Sequence, residues 1–447
     1  MSLLTGAEVA KHNTADDCWV IIHVYTLEKY LDKSKHLGAV DMTTVVHEKA
    51  EESPEENERM KRIQEMPSLD QCYNLLDFEA VARRTLRENH SAFHRIWFRP
   101  RVLVDVEKVD FSTSMLGTPT SVPFYVTATA LGKLGHVEGE VVLTRSSGKH
   151  DVIQMIPTLA SCAFDDIVDA AGPAQVQWLQ LYVNKDRAIT QRIVQHAEKR
   201  GCKGLFITVD APQLGRREKD MRMKFTDQGS DVQSGQATDT SQGAARAISS
   251  FIDPSLSWAD IPWFQSITKM PIVLKGVQRV EDVIKAVEAG VQGVVLSNHG
   301  GRQLEFSRSA VEVLAETMPV LRELGLEDKI EVYVDGGIRR ATDIIKALCL
   351  GARGVGIGRP FLYAMSAYGQ DGVDRAMQLL KDEMEMGMRL VGARNISELS
   401  PSLLDARSLF SHGAPPVDNL SYAVYDPLVN PSQRLAVTGE KPEKAKL

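Results

Sequence analysis

The pattern of hydrophobic and polar positions changes at Pro123. From there on, short apolar runs rich in β-branched residues alternate with stretches of helical periodicity. Apolar runs separated by helices are typical of parallel strands that are buried on both faces. We identify eight such runs: FYVTATA (124–130), VIQMIPTL (152–159), QWLQLYV (177–183), GLFITVDA (204–211), PIVLKG (271–276), GVVLSN (293–298), EVYVDGG (331–337) and GVGIGR (354–359).

Eight strands within about 240 residues predict an α/β protein with a closed (β/α)8 TIM barrel. The structural alternative is a doubly wound open sheet, but this chain has no GxGxxG phosphate loop after its first run. One connection is irregular, because residues 226–246 consist mainly of Gly, Ser, Gln, Asp and Thr. We interpret this segment as a long loop at the active-site face of the barrel.

The chain on either side of the repeat differs in composition. Residues 1–66 are polar, and the run HEKAEESPEENERMKRIQE at 47–65 predicts a solvated helix or a linker. Farther on, LLDFEAVARR predicts a helix and RVLVDV an extended stretch, whereas the Pro-rich tail predicts an arm on a neighbouring subunit or disorder. We therefore divide the chain into a short N-terminal segment (1–46), a charged linker (47–66), the barrel (67–410) and a C-terminal tail (411–447).

Composition excludes several classes of function. The 447 residues are 43% hydrophobic and 25% charged, as in an ordinary globular protein. A formal net charge of −7 argues against nucleic-acid binding, which needs clustered Lys and Arg. The five cysteines form no CxxC pair, which argues against a zinc site and a disulfide framework, so we expect no metal. No apolar run approaches the ~18 residues of a transmembrane helix, so we expect no membrane span.

Polar residues at the ends of the apolar runs indicate a site. In a barrel of this type, catalytic and binding groups lie where strands end and βα loops begin. Each such residue alone is more often a cap or a turn, but their occurrence at the same end of successive strands argues for a shared function. The residues are Thr129, Gln180, Tyr182, Thr208, Asp210, Lys275, Ser297, His299, Asp335 and Arg359.

His299 follows the sixth run in LSNHGGRQ, where two glycines allow a tight turn. Histidine titrates near neutral pH and arginine binds carboxylates in a bidentate manner, so His299 and Arg302 suit a substrate with an exchangeable proton and a carboxylate. A purely structural turn is the alternative. Asp210 ends the fourth run and is a candidate to orient His299 by accepting its second ring N–H. Arg217, in LGRREKD, is a second candidate for the substrate anion, or part of a solvated charge cluster.

Lys275 ends the fifth run and has two chemical interpretations. It forms a Schiff base with a carbonyl substrate, or it places a positive charge beside a flavin ring and stabilises the reduced form. A structural lysine with a solvated head is the third possibility. The Gly-rich loops DGGIRR (335–340) and GIGR (356–359) follow the last two runs. Such loops, with Arg339 or Arg359 adding charge, form the usual phosphate pocket of these barrels and predict a phosphorylated ligand.

Together these motifs closely resemble the FMN-dependent 2-hydroxy-acid oxidoreductases, and within them the flavocytochrome-type L-lactate dehydrogenases of fungi. The resemblance covers about residues 70–410. The matching stretches are RPRVLVDV, VPFYVTATALGKLGH, MIPTLASC, QWLQLYVNKDR, FITVDAPQLGRREKDMR, SSFIDPSLSW, PIVLKGV, VVLSNHGGRQL, VYVDGGIRR and GARGVGIGRPFLYA.

The resemblance implies His299 as the base, oriented by Asp210, with Arg302 binding the substrate carboxylate and Tyr182 and Arg217 assisting. Ala130 and Leu159 match positions that line the side-chain pocket, and their size implies lactate or a similarly short acid. The resemblance also implies that FMN is bound by Ala128, Thr129, Ala130, Gln180, Thr208, Lys275, Ser297, Asp335, Gly336, Gly337, Arg339, Gly358 and Arg359.

Two departures from the family pattern bear on function. The opening VAKHNTADDCWVIIH resembles a cytochrome-b5-type haem domain, but Val24-Tyr25 runs directly into YLDKSKHLG, and the HPGG-type haem-ligand segment is missing. We therefore expect a truncated remnant that binds no haem. In addition, Thr85-Leu86 runs directly into Arg87-Glu88, so a segment that carries a substrate-contacting tyrosine in the family has no counterpart. Losing one hydrogen bond to a charged group costs roughly 1.5–3 kcal/mol, which impairs turnover.

The predicted function is FMN-dependent oxidation of a short L-2-hydroxy acid, L-lactate first, to the 2-keto acid. The alternatives are a catalytically impaired flavin-binding variant and a phosphate-binding barrel aldolase or isomerase that uses Lys275. The expected partners are the hydroxy acid and an electron acceptor such as oxygen, a quinone or a cytochrome, in a homotetramer. The N-terminus has no targeting pattern. The C-terminal Ala445-Lys446-Leu447 is one residue from the SKL address, so we expect the cytoplasm or the peroxisome, and the resemblance adds the mitochondrial intermembrane space.

Overall fold

The computed structural model describes residues 88–215, 251–304 and 306–411, together with Leu75 and four two-residue strands within the first 41 residues. The chain divides into two compact units, residues 1–66 and 67–447. In the first unit, Leu4–Thr5 pairs in parallel with Val40–Asp41, and Asn13–Thr14 pairs with Asp17–Cys18 in an antiparallel manner. The interpretation of this unit as a truncated haem domain with a linker stays a prediction.

Eight parallel strands in the second unit close into a barrel, which confirms the (β/α)8 prediction. Seven strands lie within an apolar run, the fifth strand extends one residue beyond its run to Val277, and every strand residue except Glu331 is buried. Burial on both faces explains why these runs show no polar alternation. The strands are β1 (Phe124–Val126), β2 (Ile153–Ile156), β3 (Gln177–Leu181), β4 (Leu205–Thr208), β5 (Ile272–Val277), β6 (Gly293–Leu296), β7 (Glu331–Asp335) and β8 (Gly354–Ile357).

Helices cover the outside of the barrel. Two of these helices begin directly after N-capping residues. The Asp186 carboxylate accepts the Ala188 N–H at 2.9 Å, and Ser309 forms a capping box with Glu312. Each cap of this kind contributes about 1 kcal/mol. The described helices are α1 (Glu88–His94), α2 (Glu140–Lys149), α3 (Phe164–Asp169), α4 (Arg187–Lys199), α5 (Ile261–Ile267), α6 (Val280–Glu288), α7 (Ala310–Glu323), α8 (Ala341–Cys349) and α9 (Arg359–Val391), the last kinked at Tyr368 and Gly369.

The barrel interior is filled by side chains. Trp178 stacks on Phe206 with ring centroids 4.7 Å apart, and Tyr125 and Tyr333 meet at 5.9 Å. Met115, in a hairpin of Thr113–Met115 with Thr118–Thr120, packs on this aromatic cluster. Because the interior is packed, the chemistry of the fold is left to the rim at the carboxyl ends of the strands.

Some sequence predictions have no counterpart among the described strands, or cannot be compared. The extended stretch RVLVDV (101–106) pairs with no strand, since Leu103 has φ +57° and a fully exposed side chain. The helix LLDFEAVARR apart from Leu75, the charged run 47–65, the loop 226–246 and the tail after Ser411 lie outside the described residues. Within the described ranges, no helix is both long and apolar enough to cross a bilayer.

Candidate active site

A cleft opens at the carboxyl ends of the barrel strands. Its empty volume is about 1080 Å³ including the open mouth, a size suited to a cofactor and a small ligand. Asp210 and Ser297 do not line the cleft, but each is hydrogen-bonded to a residue that does. Asp210 contacts His299, and Ser297 contacts the carboxylate of Asp335. Arg217 lies outside the described residues. The other residues predicted for the site line the cleft: Ala128, Thr129, Ala130, Leu159, Gln180, Tyr182, Thr208, Lys275, His299, Arg302, Asp335, Gly336, Gly337, Arg339, Gly358 and Arg359.

His299 stands between a carboxylate and a phenol. Its Nδ1 lies 2.9 Å from Asp210 Oδ1, and its Nε2 lies 3.2 Å from Tyr182 Oη. An Nδ1–H that donates to Asp210 leaves Nε2 with a lone pair, which accepts the Tyr182 hydroxyl. Asp210 fits here because Gly276 has no side chain: a Cβ at Gly276 would lie 2.7 Å from Asp210 Oδ2. Gly276 sits in a bulge of β5 at φ +109°.

Two opposing influences act on the His299 pKa. Burial of the imidazole lowers the pKa below its ordinary value of 6.5, and this influence outweighs the Asp210 carboxylate, which raises it. The Lys275 and Arg302 cations also lower it. His299 is therefore neutral at pH 7 and able to accept a proton, and the buried Asp210 carboxylate is in contact to stabilise the cation that results.

Lys275 is a buried positive charge at the base of the cleft. Its Nζ lies 3.0 Å from Asp335 Oδ2, and the lysine is 5% exposed. Asp335 also accepts hydrogen bonds from the hydroxyls of Ser297 and Thr127. Burial alone lowers the pKa of Lys275, but the carboxylates of Asp335 and Asp210 outweigh burial and raise the pKa above 10.5. Lys275 is thus held in its protonated form.

Gln180 and Thr208 belong to one hydrogen-bond chain along the rim. Gln180 Nε2 donates to Thr208 Oγ1 at 2.9 Å, while Gln180 Oε1 accepts the Thr158 N–H at 3.1 Å. Thr158 also accepts the Tyr182 N–H at 2.9 Å. Sequence reasoning missed Thr158, although it lies at the end of the second run, where the strand-end rule applied.

One part of the cleft has the groups needed to bind an anion and is called the phosphate end below. It consists of Gly336, Gly337, Arg339, Gly358 and Arg359. Gly336 and Gly337 follow β7 with φ of +92° and +88°, and α9 begins at Arg359 directly after Gly358. Arg339 is 3% exposed, and Arg339 and Arg359 both line the cleft. Backbone N–H groups at a helix start, combined with guanidinium groups, form a phosphate site.

These residues fit FMN. The phosphate end described above has the donors for the phosphate group, and the remaining wall has the β1 end at Ala128 and Thr129, the amide of Gln180 and the Lys275 cation. A cation beside a flavin ring stabilises its reduced form. When bound, FMN supplies the two-electron acceptor.

Other lining residues have the chemistry to bind a small carboxylic acid. Arg302 and Tyr182 line the cleft together with His299, and the apolar side chains of Ala130 and Leu159 line it as well. Leu159 and Tyr182 also pack in one apolar cluster with Leu214, a lining residue that sequence reasoning missed. Leu214 ends no apolar run, so no sequence pattern marked it.

Gln303 is a further residue that was not selected from the sequence. Its Nε2 donates to the backbone oxygens of Asp210 and Gln213 at 2.9 and 3.0 Å, and its Oε1 accepts the Gly215 N–H at 2.9 Å. Gln303 therefore ties the Asp210 loop to the loop of His299. Its position next to Arg302 in LSNHGGRQ was the available signal.

Comparison with known proteins agrees with this geometry. The FMN-dependent dehydrogenase family matches residues 64–406. L-lactate dehydrogenase (cytochrome) of Wickerhamomyces anomalus is 54% identical over 475 positions, covering 94% of this chain and 82% of the relative. The Saccharomyces cerevisiae enzyme of the same name is 49% identical over 475 positions, covering 91% and 80%. A peroxisomal (S)-2-hydroxyacid oxidase of Arabidopsis thaliana is 42% identical over 337 residues, covering 73% and 90%.

Solved structures give the same result. The flavin-binding domain of baker's yeast flavocytochrome b2 is 53% identical to this chain with a TM-score of 0.74, over 84% of this chain and 97% of the other. The two alignments with fungal dehydrogenases each have 475 positions, more than the 447 residues of this chain, so this chain has internal gaps relative to both. With the barrel, the cleft and these matches, the chain belongs to the FMN-dependent dehydrogenase family.

Proposed function

We propose that this protein oxidises a short L-2-hydroxy acid, L-lactate first, to the corresponding 2-keto acid with FMN as the electron acceptor. The observation that carries the proposal is the arrangement of His299, whose Nε2 lies 3.2 Å from Tyr182 Oη while Asp210 Oδ1 lies 2.9 Å from Nδ1. The relatives named L-lactate dehydrogenase and (S)-2-hydroxyacid oxidase support the same substrate class.

Each side chain has a distinct task in the proposed reaction. Oxidation of a CH–OH carbon to a ketone releases two electrons and two protons. His299 Nε2 accepts one proton, and FMN, when bound, would take up the two electrons and the other proton. Asp210 stabilises the resulting imidazolium through Nδ1–H. Arg302, with Tyr182 and Arg217 assisting, binds the substrate carboxylate. The Lys275 cation would stabilise the negative charge of the reduced flavin.

Substrate size follows from the apolar wall in this proposal. Ala130 is small and Leu159 is a buried aliphatic residue, 8% exposed. The wall therefore accommodates a methyl group such as that of lactate. One methylene more or less in an apolar pocket changes binding by roughly 1–3 kcal/mol, so short acids are expected to be preferred to long ones.

Anaerobic flavin reduction tests the function directly. Purified protein loaded with FMN is mixed with L-lactate, and the flavin absorbance is followed without oxygen. We expect bleaching with L-lactate, no bleaching with D-lactate, and a loss of at least about 100-fold in rate for His299→Gln. A protein that stays yellow with L-lactate, glycolate and L-2-hydroxybutyrate would overturn the proposal.

A catalytically impaired flavin-binding protein is the second candidate. Thr85-Leu86 runs directly into Arg87-Glu88, so the family's tyrosine-bearing segment is missing, and internal gaps in the alignments support this departure. This candidate predicts tight FMN binding with very slow bleaching.

The aldolase alternative is disfavoured by the state of Lys275. A Schiff base requires a neutral amine, whereas the Asp335 and Asp210 carboxylates raise the pKa of Lys275 against the effect of burial. Trapping of a carbonyl substrate on Lys275 by borohydride, in protein that holds no flavin, is the result that would restore the aldolase.

We further propose oxygen, a quinone or a separate cytochrome as the final electron acceptor, and a homotetramer as the assembly. Stopped-flow reoxidation of the reduced flavin with each acceptor, and light scattering, test these two points. For location, Ala445-Lys446-Leu447 and the peroxisomal name of the Arabidopsis relative support the peroxisome, with the cytoplasm and the mitochondrial intermembrane space as alternatives. Imaging of a protein tagged at its N-terminus distinguishes them.

A further inference from the structure

Helix α1 precedes the barrel in the chain but contacts two of its active-site loops. Asn89, the second residue of α1, and Asn298, which follows β6, exchange two hydrogen bonds. Asn89 Nδ2 donates to Asn298 Oδ1 at 2.7 Å, and Asn298 Nδ2 donates to Asn89 Oδ1 at 2.7 Å. The two residues are 7% and 3% exposed. A buried reciprocal amide pair satisfies both groups, and loss of the Asn89 amide removes one hydrogen-bond partner from the oxygen and one from the nitrogen of the Asn298 amide.

Asn298 holds the loop that carries the base. It directly precedes His299, its Oδ1 also accepts the Gly301 N–H at 2.9 Å, and its Nδ2 also donates to Arg308 O at 3.2 Å. His299 has φ +58°, a left-handed conformation that residues other than glycine adopt rarely. Such a conformation persists at a functional residue only where the surroundings hold it. The amide pair is part of those surroundings.

The same helix packs closely against the phosphate end of the cleft. A Cβ at Gly336 would lie 2.8 Å from Asn89 Nδ2, and a Cβ at Gly337 would lie 2.5 Å from Asn89 O. His90 Nδ1 lies 2.8 Å from Gly337 O, so its ring N–H donates to that carbonyl. Two adjacent residues of α1 therefore contact the loop after β7, and one of them also holds the loop after β6.

We propose that Asn89 is a positioning residue that couples these two loops. Its amide holds Asn298, and through it the left-handed backbone of His299, so that Nε2 faces the cleft. Its backbone and amide fix the position of Gly336 and Gly337 for the cofactor phosphate. The turnover part of this inference rests on the proposed function, whereas the part that concerns cofactor affinity does not.

The first test compares Asn89→Ala with Val194→Ala in the FMN-loaded full chain. Val194 is a fully buried residue of α4 that lies outside the cleft lining, so its substitution reproduces a loss of stability without touching the site. For N89A we expect a tenfold or larger fall in kcat for anaerobic reduction by L-lactate, KM within about twofold, and an FMN Kd raised about tenfold. V194A is expected to lower Tm but to leave kcat and the FMN Kd unchanged.

The conservative variant Asn89→Asp provides a second readout, the pH dependence of FMN affinity. This dependence is not expected if Asn89 only contributes to protein stability. A protonated carboxyl donates to Asn298 Oδ1 and accepts from Asn298 Nδ2, so it reproduces the amide pair. An ionised carboxylate instead places a negative oxygen against Asn298 Oδ1. We therefore expect N89D to bind FMN more weakly than the wild type at about pH 8, where the carboxylate is ionised, and to regain affinity as the pH is lowered and the carboxyl becomes protonated, in excess of any change in the wild type.

The outcomes separate the two levels of inference. If N89A loaded with FMN turns over like the wild type and its FMN Kd matches that of V194A, Asn89 is only a stability residue and the proposal fails. An FMN Kd for N89D that equals the wild-type value at about pH 8 also contradicts it. If the wild type itself is not reduced by any short L-2-hydroxy acid, the proposed function fails, and the FMN Kd of N89A and the pH dependence of N89D then decide the positioning role alone.

Discussion

His299 concentrates the chemistry of this protein at a single residue. It combines a left-handed backbone, a partly buried imidazole and a carboxylate partner at 2.9 Å. The role proposed for Asp210 follows from this contact, because a carboxylate at this position fixes which ring nitrogen carries the proton and, in the proposed oxidation, would stabilise the imidazolium.

We predict that Asp210→Asn slows flavin reduction by L-lactate by about 100-fold or more with little change in KM. The amide removes the charge that stabilises protonated His299 but keeps the side-chain shape. Stopped-flow absorbance of the flavin measures the rate. Asp374→Asn is the matched control, since Asp374 is also a buried carboxylate but lies outside the cleft; equal rates for the two variants would exclude a role for Asp210.

The lowered pKa of His299 also predicts a pH dependence. Burial holds the pKa below 6.5, so kcat/KM is expected to rise with pH through a midpoint below 6.5 and then to level off. The free energy of unfolding is expected to change with pH in the same direction. The unfolded chain binds the His299 proton more tightly than the folded chain, so the contribution of this group to stability is lost as the pH falls below about 6.5. An activity limb centred above 6.5 would contradict the assignment, and His299→Gln should abolish the limb.

At the scale of elements, the loops after β6 and β7 depend on close packing against α1. Gly337 is the sharpest case, because its φ of +88° and its approach to Asn89 O exclude a side chain. The phosphate end is therefore shaped as much by the helix that precedes the barrel as by the barrel strands.

We predict that Gly337→Ala weakens FMN binding by at least tenfold and lowers Tm, because both the backbone strain and the contact with α1 must be relieved. Gly325→Ala is the control: Gly325 has φ +65° but no atom within 4 Å of its Cβ position. It is expected to lower Tm slightly with an unchanged FMN Kd, measured by quenching of flavin fluorescence. Identical FMN affinities for the two variants would show that the contact with α1 is unimportant.

At the scale of the whole molecule, the route of electrons from the flavin depends on whether the chain also binds haem. The N-terminal unit, residues 1–66, begins with a sequence that resembles a haem domain but has no HPGG-type segment. We predict that the purified protein shows flavin absorption and no Soret band, even after incubation with hemin. Stoichiometric haem in a pyridine hemochrome assay would overturn this prediction.

Much of the fold was predictable because the barrel strands are buried on both faces. Each of the eight apolar runs coincides with one strand, apart from Val277 at the end of the fifth strand, and the strand-end rule selected Gln180, Lys275, His299 and Asp335, which line one cleft. The rule failed for Leu214 and Gln303, which lie within loops rather than at strand ends. Loop positions have no hydrophobic period, so the pattern of apolar runs does not mark them.

The sequence by itself determined the eight strands, the rim on which the chemistry lies and the kinds of side chain available there. Only the tertiary structure showed the contact between Asn89 and Asn298, which are 209 positions apart. The contact between His299 and Asp210, 89 positions apart, was a candidate from the sequence, and the structure places the two side chains at 2.9 Å. Local periodicity records which face of an element is buried, whereas a contact between distant residues exists only after the barrel has closed and brought the ends of its strands together.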